Sequence, residues 1–139
     1  MQVLIDTNVV LDVLLKRFPF VQDAVEVLKV PETVARKFVS ASAITDIYYI
    51  AYREIRDKQN VKNLIKTLLK VVHVAEVSES DIISALDSDW TDFEDSVQNS
   101  VAESHEYDAI ITRNKGDYKK SSVKVFSPNE FIEEIEGNK

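Results

Sequence analysis

The chain has 139 residues and a formal charge of −7, from 24 acidic and 17 basic residues, and it contains no cysteine. This composition excludes disulfides, thiolate zinc sites and cysteine nucleophiles, and it argues against a protein that coats nucleic acid over its whole surface. Its two glycines, Gly116 and Gly137, are too few for the glycine-rich phosphate loops of most nucleotide-cofactor enzymes.

A chain of this length is expected to form a single domain, residues 1–139, with a core large enough to fold without disulfides. The sequence shows no basic leader followed by an apolar segment, and no apolar run long enough to span a membrane. We therefore expect a soluble protein that acts in the cytoplasm.

The first residues predict a buried strand that ends on a carboxylate. Val3, Leu4 and Ile5 form an uninterrupted apolar run, typical of a strand buried on both faces of a parallel sheet. Asp6 follows and should lie at the carboxyl edge of that sheet, where open α/β folds bind their ligands. The apolar residues 9–15 then predict a helix that packs back on the sheet.

The rest of the chain alternates helical and strand patterns. Helices are predicted over residues 21–30, 42–55, 59–69, 78–86, 96–105 and from Pro128 onward, and strands over residues 37–40, 71–77, 108–112 and 124–126. Ser42 is predicted to cap the third helix, and Ser78 with Asp81 predicts a capping box. The pattern indicates an α/β fold with a mainly parallel central sheet of about five strands flanked by helices.

Several acidic or amide side chains are predicted near the carboxyl edge of this sheet. Asp6 ends the first strand, Asn114 and Asp117 follow the fourth, and Asp46 and Asp95 are expected in first turns of helices. Crowded carboxylates repel each other unless a cation binds them. With no cysteine and two histidines in the chain, Mg²⁺ or Mn²⁺ suits this site better than zinc. Such an ion can coordinate a phosphate oxygen and activate water, which indicates phosphodiester hydrolysis.

Four strings, in order along the chain, resemble the PIN domain family, and within it the small single-domain members that include VapC-type toxin ribonucleases. They are VLIDTNVVLDVLL, ITDIYYIA around Asp46, DFEDSVQNSVAE around Asp95, and DAIITRNKGDY. The resemblance covers nearly the whole chain. It implies a single PIN-like domain that acts as a magnesium- or manganese-dependent endoribonuclease with four acidic residues at the carboxyl edge of a parallel sheet, in the manner of a toxin from a toxin–antitoxin pair.

The resemblance also assigns roles to individual positions. By motif, the catalytic and metal-binding acids are Asp6, Asp46 and Asp95. Many relatives have a fourth acid where this chain has Asn114, so either Asn114 or the nearby Asp117 would complete the metal site. The polar positions expected to support the site are Asn8, Thr112 and Asn114. A further departure is His105-Glu106, where relatives often have a glycine that ends the helix.

Each acid also has a structural interpretation. Asp6 can act as the cap of the first helix, and acids in the first turn of a helix are favoured by its dipole. Asp92 and Glu94 compete with Asp95, since all three can cap the same helix, and the motif register favours Asp95.

The expected partners follow from the charges and the resemblance. The basic residues that border the acidic edge are candidate contacts to RNA phosphates, namely Lys16, Arg17, Arg113 and Lys115. A toxin of this family would bind a small antitoxin protein, and homodimers are common among its relatives. The alternative function is a catalytically weak module that binds RNA or protein, because Asn114 replaces an acid. A haloacid-dehalogenase-type phosphatase is disfavoured, because Asn8 stands where that chemistry needs a second aspartate.

Overall fold

The structure is a computed structural model that describes residues 1–138. Its strands are β1 (Gln2–Ile5), β2 (Arg36–Ser40), β3 (His73–Ala75), β4 (Ala109–Ile111) and β5 (Lys124–Phe126). Its helices are α1 (Thr7–Leu14), α2 (Val21–Lys29), α3 (Ala41–Ile55), α4 (Lys58–Leu68), α5 (Glu79–Leu86), α6 (Phe93–Ser104) and α7 (Pro128–Gly137). A short 3₁₀ helix, Lys115–Tyr118, lies between β4 and β5.

The five strands form one parallel sheet in the order β3-β2-β1-β4-β5. This confirms the predicted α/β fold with a parallel sheet flanked by helices. The chain builds outward from β1 to β3 and then returns to the other side of β1 with β4. The strand order therefore reverses between β1 and β4, and parallel folds open a binding crevice at the carboxyl ends of such strands.

Successive side chains of β1 point to opposite faces of the sheet, and the core therefore has two layers. Val3 and Ile5 of β1 face one side, where they pack with residues of α1, α2, α3, α4 and α7. Leu4 faces the other side and packs with residues of α5 and α6. Because both faces of β1 are buried, its end carries Asp6 out of the core at a fixed position.

The start of α3 differs from the prediction. Ser40, the last residue of β2, caps this helix by accepting a hydrogen bond from the backbone N–H of Ala43 at 3.2 Å, so the assignment of this cap to Ser42 was wrong. The strand runs directly into the helix, which leaves Ser42 inside the first turn. Asp46 consequently lies in the second turn, where the helix dipole acts on it less than predicted.

Other element ends moved by a few residues. The third strand is confined to His73–Ala75, because this edge strand pairs with β2 over three residues. Helix α6 begins at Phe93, three residues before the predicted start, because Asp92 caps it and accepts from the backbone N–H of Asp95 at 2.9 Å. The capping box of Ser78 and Asp81 is confirmed. Within residues 1–138, every helix is too short or too polar to cross a membrane.

Candidate functional site

Asp6 occupies the point where β1 becomes α1, and its side chain is 6% exposed. Its Oδ1 accepts a hydrogen bond from the backbone N–H of Thr7 at 2.7 Å, and its Oδ2 accepts one from the Thr112 hydroxyl at 2.8 Å. The Gln98 amide donates to Oδ1 at 3.4 Å. Asp6 therefore caps the helix, as its structural interpretation expected, and it is also oriented from β4 and α6.

Burial raises the pKa of the Asp6 carboxyl above its ordinary value, and hydrogen bonds from Thr112, Thr7, Gln98 and Tyr118 partly offset this rise. These donors are all neutral groups. They orient the carboxylate without cancelling its charge, so a cation bound there would lower the free energy of the ionised form.

Asp95 lies in the first turn of α6, as predicted, and it acts on Asp6 electrostatically. Partial burial raises the pKa of Asp95 to about 7, with further contributions from the charges of Asp6, Asp92 and Asp117. The hydroxyl of Tyr118 donates to Asp95 Oδ1 at 3.3 Å. Burial, and then the charges of Asp6 and Asp95, raise the pKa of Tyr118, so its hydroxyl keeps its proton and remains a donor.

Glu94 and Asp46 form a second carboxyl pair. Desolvation raises the pKa of Glu94 to about 7, followed by a hydrogen bond to Asp46 and the charge of Asp46. Sequence reasoning ranked Glu94 below Asp95, yet Glu94 is the acid of α6 that contacts Asp46. No local signal separates the acids of this turn, because only the position of α3 decides which of them meets Asp46.

A groove of about 300 Å³ lies along these side chains. Its charged and amide lining residues are Asp6, Asn8, Arg17, Asp92, Glu94, Asp95, Asn114 and Asp117. Asn114 and Asp117 enter from the segment after β4, and Arg17 enters from the turn after α1. The structure thus brings the predicted acids at positions 6, 95 and 117 to one groove, and it joins Asp46 to this groove through Glu94.

Thr112 is the centre of the polar network that supports the groove, and it is fully buried. Its hydroxyl donates to Asp6 and accepts from the backbone N–H of Asn114 at 3.1 Å and from the Asn8 amide at 3.4 Å. Asn8 Oδ1 in turn accepts from the backbone N–H of Arg113 at 3.2 Å. These bonds fix the segment after β4 against the start of α1.

Arg113, predicted as a phosphate contact, is held by other groups. Its guanidinium donates to Asp12 through Nε at 2.8 Å and through Nη2 at 3.1 Å, and it lies 4.0 Å from the centre of the Phe20 ring. Asp12 is 1% exposed and also lies 3.9 Å from Arg17. Sequence reasoning did not select Asp12, although an acid within the apolar run VVLDVLL was a detectable signal.

The remaining basic candidates lie on the surface. Lys115 forms an ion pair with Glu130 at 2.9 Å, and Lys16 is exposed just after α1. Of the four basic residues predicted to contact phosphate, Arg17 is the one that lines the acidic groove.

The donor set suits a hard divalent cation. In the described residues, 1–138, no group of three or more His, Cys, Asp or Glu side chains stands ready to hold a metal ion. The oxygen donors that line the groove are nevertheless mostly carboxylates. Two further oxygens, Thr7 Oγ1 and Gln98 Oε1, are buried near Asp6 and have no hydrogen-bond partner within residues 1–138. Oxygen donors of this kind fit Mg²⁺ or Mn²⁺ by their chemistry.

Residues 2–116 match the sequence family described as PIN domain. Among solved structures, the fold is similar to a chain of a toxin–antitoxin complex from Klebsiella pneumoniae, with a TM-score of 0.68 and 18% identity over 91% of this chain and 97% of that chain. It is also similar to a chain of VapBC-1 from nontypeable Haemophilus influenzae, with a TM-score of 0.69 and 16% identity over 93% and 99% of the two chains.

A third similar structure is VapC20 from Mycobacterium tuberculosis, described as a toxin that cleaves the sarcin–ricin loop. The TM-score is 0.63, with 14% identity over 78% of this chain and 86% of that chain. No match was found among curated protein sequences. At these identities the structural likeness concerns the fold.

Proposed function

The chain belongs to the PIN domain family, and from this premise we propose that it is an endoribonuclease that uses Mg²⁺ or Mn²⁺ to hydrolyse RNA phosphodiester bonds. The observation that carries the proposal is the single groove lined by five acidic side chains, Asp6, Asp92, Glu94, Asp95 and Asp117. Only neutral donors orient Asp6, and burial, followed by repulsion from neighbouring carboxylates, raises the pKa of Asp95 and of Glu94. Such an arrangement destabilises the folded state unless a cation binds.

The residues proposed to hold the ion are Asp6, Asp46 and Asp95, with Glu94 and Asp117 as further ligands and Asn114 as a support. A divalent ion bound there would polarise a phosphate oxygen and lower the pKa of the attacking water. The chain itself supplies orientation. Thr112 and Gln98 hold the Asp6 carboxylate, and Tyr118 holds Asp95 Oδ1.

Arg17 is proposed to bind a phosphate of the substrate, because among the described residues it is the one basic residue that lines the groove. A bound phosphate would find this cation beside the acids, where it fixes the register of the backbone without reading bases. Contacts from Lys16, Arg113 and Lys115 stay a prediction, and the last two would have to leave their partners Asp12 and Glu130.

The test is cleavage of RNA by purified Asp6→Asn protein. Asparagine keeps the size and an acceptor oxygen for the Thr7 N–H, so the helix cap and the fold should survive. We expect RNA cleavage with Mg²⁺ or Mn²⁺ to fall by about 10²-fold or more, with a melting temperature in EDTA that is not lower than that of the wild-type protein. The matched control is Asp23→Asn on α2, an exposed acid that does not line the groove. Cleavage at the wild-type rate by Asp6→Asn would refute the assignment.

A second candidate is a module that binds RNA or protein without cutting it. Two observations favour it, the amide Asn114 in place of an acid and the lack, within residues 1–138, of a ready-made group of three metal-binding side chains. Isothermal titration calorimetry separates the two functions. Heat of binding from Mg²⁺ or Mn²⁺ at millimolar concentration supports the nuclease, and RNA binding without any metal binding supports the module.

We further propose that the protein is the toxin of a toxin–antitoxin pair acting in the cytoplasm, where a small antitoxin would bind near the groove with a basic or apolar segment. The support is that similar folds occur in structures described as a toxin–antitoxin complex and as VapBC-1. Affinity purification from native cells should recover one small protein in stoichiometric amount, and its absence would contradict the proposal. Light scattering on the purified chain tests the homodimer expected from the resemblance.

A further inference from the structure

A second groove, of about 470 Å³, continues from the acidic groove and shares Asp92, Asp95 and Asp117 with it. Its other lining residues are Trp90, Thr91, Gly116, Lys119 and Lys120. The lining of this groove therefore combines carboxylates with an indole ring and two lysine side chains. None of these aromatic or basic residues has a role in the site described above.

Trp90 lies in the turn between α5 and α6, where its side chain is half-buried. Its ring meets the ring of Tyr118 edge to face, with the centroids 5.7 Å apart and the planes at 75°. Tyr118 donates its hydroxyl to Asp95, so one residue connects the indole to the acid. This contact gives Trp90 a defined position next to the reacting end of the site.

Lys119 and Lys120 bring positive charge to the lining of the groove. Lys120 donates to the backbone oxygen of Asp89 at 3.1 Å and pairs with its carboxylate at 3.0 Å, which ties the turn that carries Trp90 to the segment after β4. For Lys119, no carboxylate of residues 1–138 lies within ion-pair distance. Its ammonium group can therefore accept a phosphate as partner.

We propose that this groove binds one unpaired nucleotide of the RNA, with its base stacked on Trp90 and its phosphate near Lys119. The inference rests on the proposed nuclease function and names the form of its substrate. Unpaired bases stack on aromatic side chains, whereas bases inside a duplex are covered by their neighbours. The volume falls within the roughly 300–1,000 Å³ of pockets that bind small organic groups. A nucleotide seated there would lead its backbone directly to Asp95 and Asp117.

Trp90 is the sole tryptophan of the chain, so fluorescence excited at wavelengths that the five tyrosines do not absorb reports on this groove. The experiment titrates Asp6→Asn protein, in Mg²⁺, with a short single-stranded RNA and with a blunt duplex of the same sequence. We expect saturable quenching by the single strand and weaker quenching by the duplex. Binding of the single strand seen by fluorescence anisotropy of a labelled RNA, without any quenching of Trp90, would overturn the proposal.

Substitutions test the same contact by affinity. Trp90→Ala in the Asp6→Asn background should weaken binding of the single-stranded RNA about fivefold or more, the lower end of the range known for one stacked base. Trp90→Phe should retain most of the affinity, because it keeps an aromatic face. Phe93→Ala is the matched control, since Phe93 is 49% exposed on the next helix and is not among the residues that line this groove.

The proposal would be overturned if Trp90→Ala in the Asp6→Asn background bound the single-stranded RNA as tightly as Asp6→Asn protein that keeps Trp90. If Trp90→Ala does not fold, as judged by its melting curve, the fluorescence titration and the Trp90→Phe protein carry the test. Failure of the proposed function gives a different result. A chain with wild-type Asp6 that cuts no RNA with either metal, while single-stranded RNA still quenches Trp90, would retain the subsite and lose the nuclease.

Discussion

Arg113 donates two hydrogen bonds to Asp12, and the Asp12 side chain is only 1% exposed. The pair joins α1 to the segment that carries Asn114 and Asp117, so it fixes the two walls of the acidic groove relative to each other. A buried carboxylate of this kind depends on its cation, because an unpaired charge inside a protein is costly.

Arg113→Ala should lower the free energy of unfolding by about 3 kcal/mol, since it leaves Asp12 buried with Arg17 at 3.9 Å as its remaining partner. Urea unfolding of the wild-type and variant proteins measures the loss. The double variant Arg113→Ala/Asp12→Ala removes both charges, and its loss in free energy of unfolding should be smaller than the sum of the losses in the two single variants. If Arg113→Ala weakened RNA binding with unchanged stability, Arg113 would be a phosphate contact, as the sequence predicted.

Asp95→Asn should stabilise the protein in EDTA at about pH 8, with a gain of about 1 kcal/mol and a melting temperature a few degrees higher. The pKa of Asp95 in the folded state is about 7, well above its ordinary value, so the folded state disfavours the ionised form. Wild-type stability should therefore fall as the pH rises from about 4 to 7, and the gain in the variant should disappear near pH 4.

The opposite result has a clear meaning. If Asp95 served only as an acid favoured by the dipole of α6, its replacement by asparagine would destabilise the protein by about 0.3–1 kcal/mol. Thermal melts of wild-type and Asp95→Asn protein across this pH range separate the two roles.

Divalent cations should stabilise the folded protein. At ten times its dissociation constant, Mg²⁺ or Mn²⁺ would add about 1.4 kcal/mol and raise the melting temperature by a few degrees. Asp6→Asn and Asp95→Asn should lose this stabilisation, and the control Asp23→Asn should keep it. A melting temperature of the wild-type protein that does not respond to millimolar Mn²⁺ would contradict the metal site.

Glu106→Gly should stabilise the protein by about 1 kcal/mol. Glu106 has φ 55°, the left-handed conformation that favours glycine, and it ends α6 in a Schellman motif. The backbone N–H of Glu106 donates to Glu103 O at 3.1 Å, and that of Tyr107 donates to Ala102 O at 2.9 Å. Ser104→Gly, two residues earlier at the last position of α6, should instead destabilise the protein by up to about 1 kcal/mol. Chemical unfolding of both variants measures whether the free energy of unfolding rises for Glu106→Gly and falls for Ser104→Gly.

The helix end at His105-Glu106 shows which features a local sequence pattern can predict. The resemblance indicated a missing glycine, and the structure identifies Glu106 as the residue that takes the left-handed conformation in its place. The same local reasoning correctly predicted the capping box at Ser78 and Asp81. It assigned the cap of α3 to Ser42, two residues late, because a strand that continues into a helix leaves no loop to mark the boundary.

By itself, the sequence determined the order of strands and helices, the parallel sheet and the position of Asp6 at the end of the central strand. These features depend on the period of apolar residues and on which residues border a strand, and both are local. Tertiary structure alone decided that Asp95 acts on Asp6, that Glu94 meets Asp46, and that Arg113 binds Asp12. Each of these contacts joins different elements, so its partner is selected by how helices pack across the sheet.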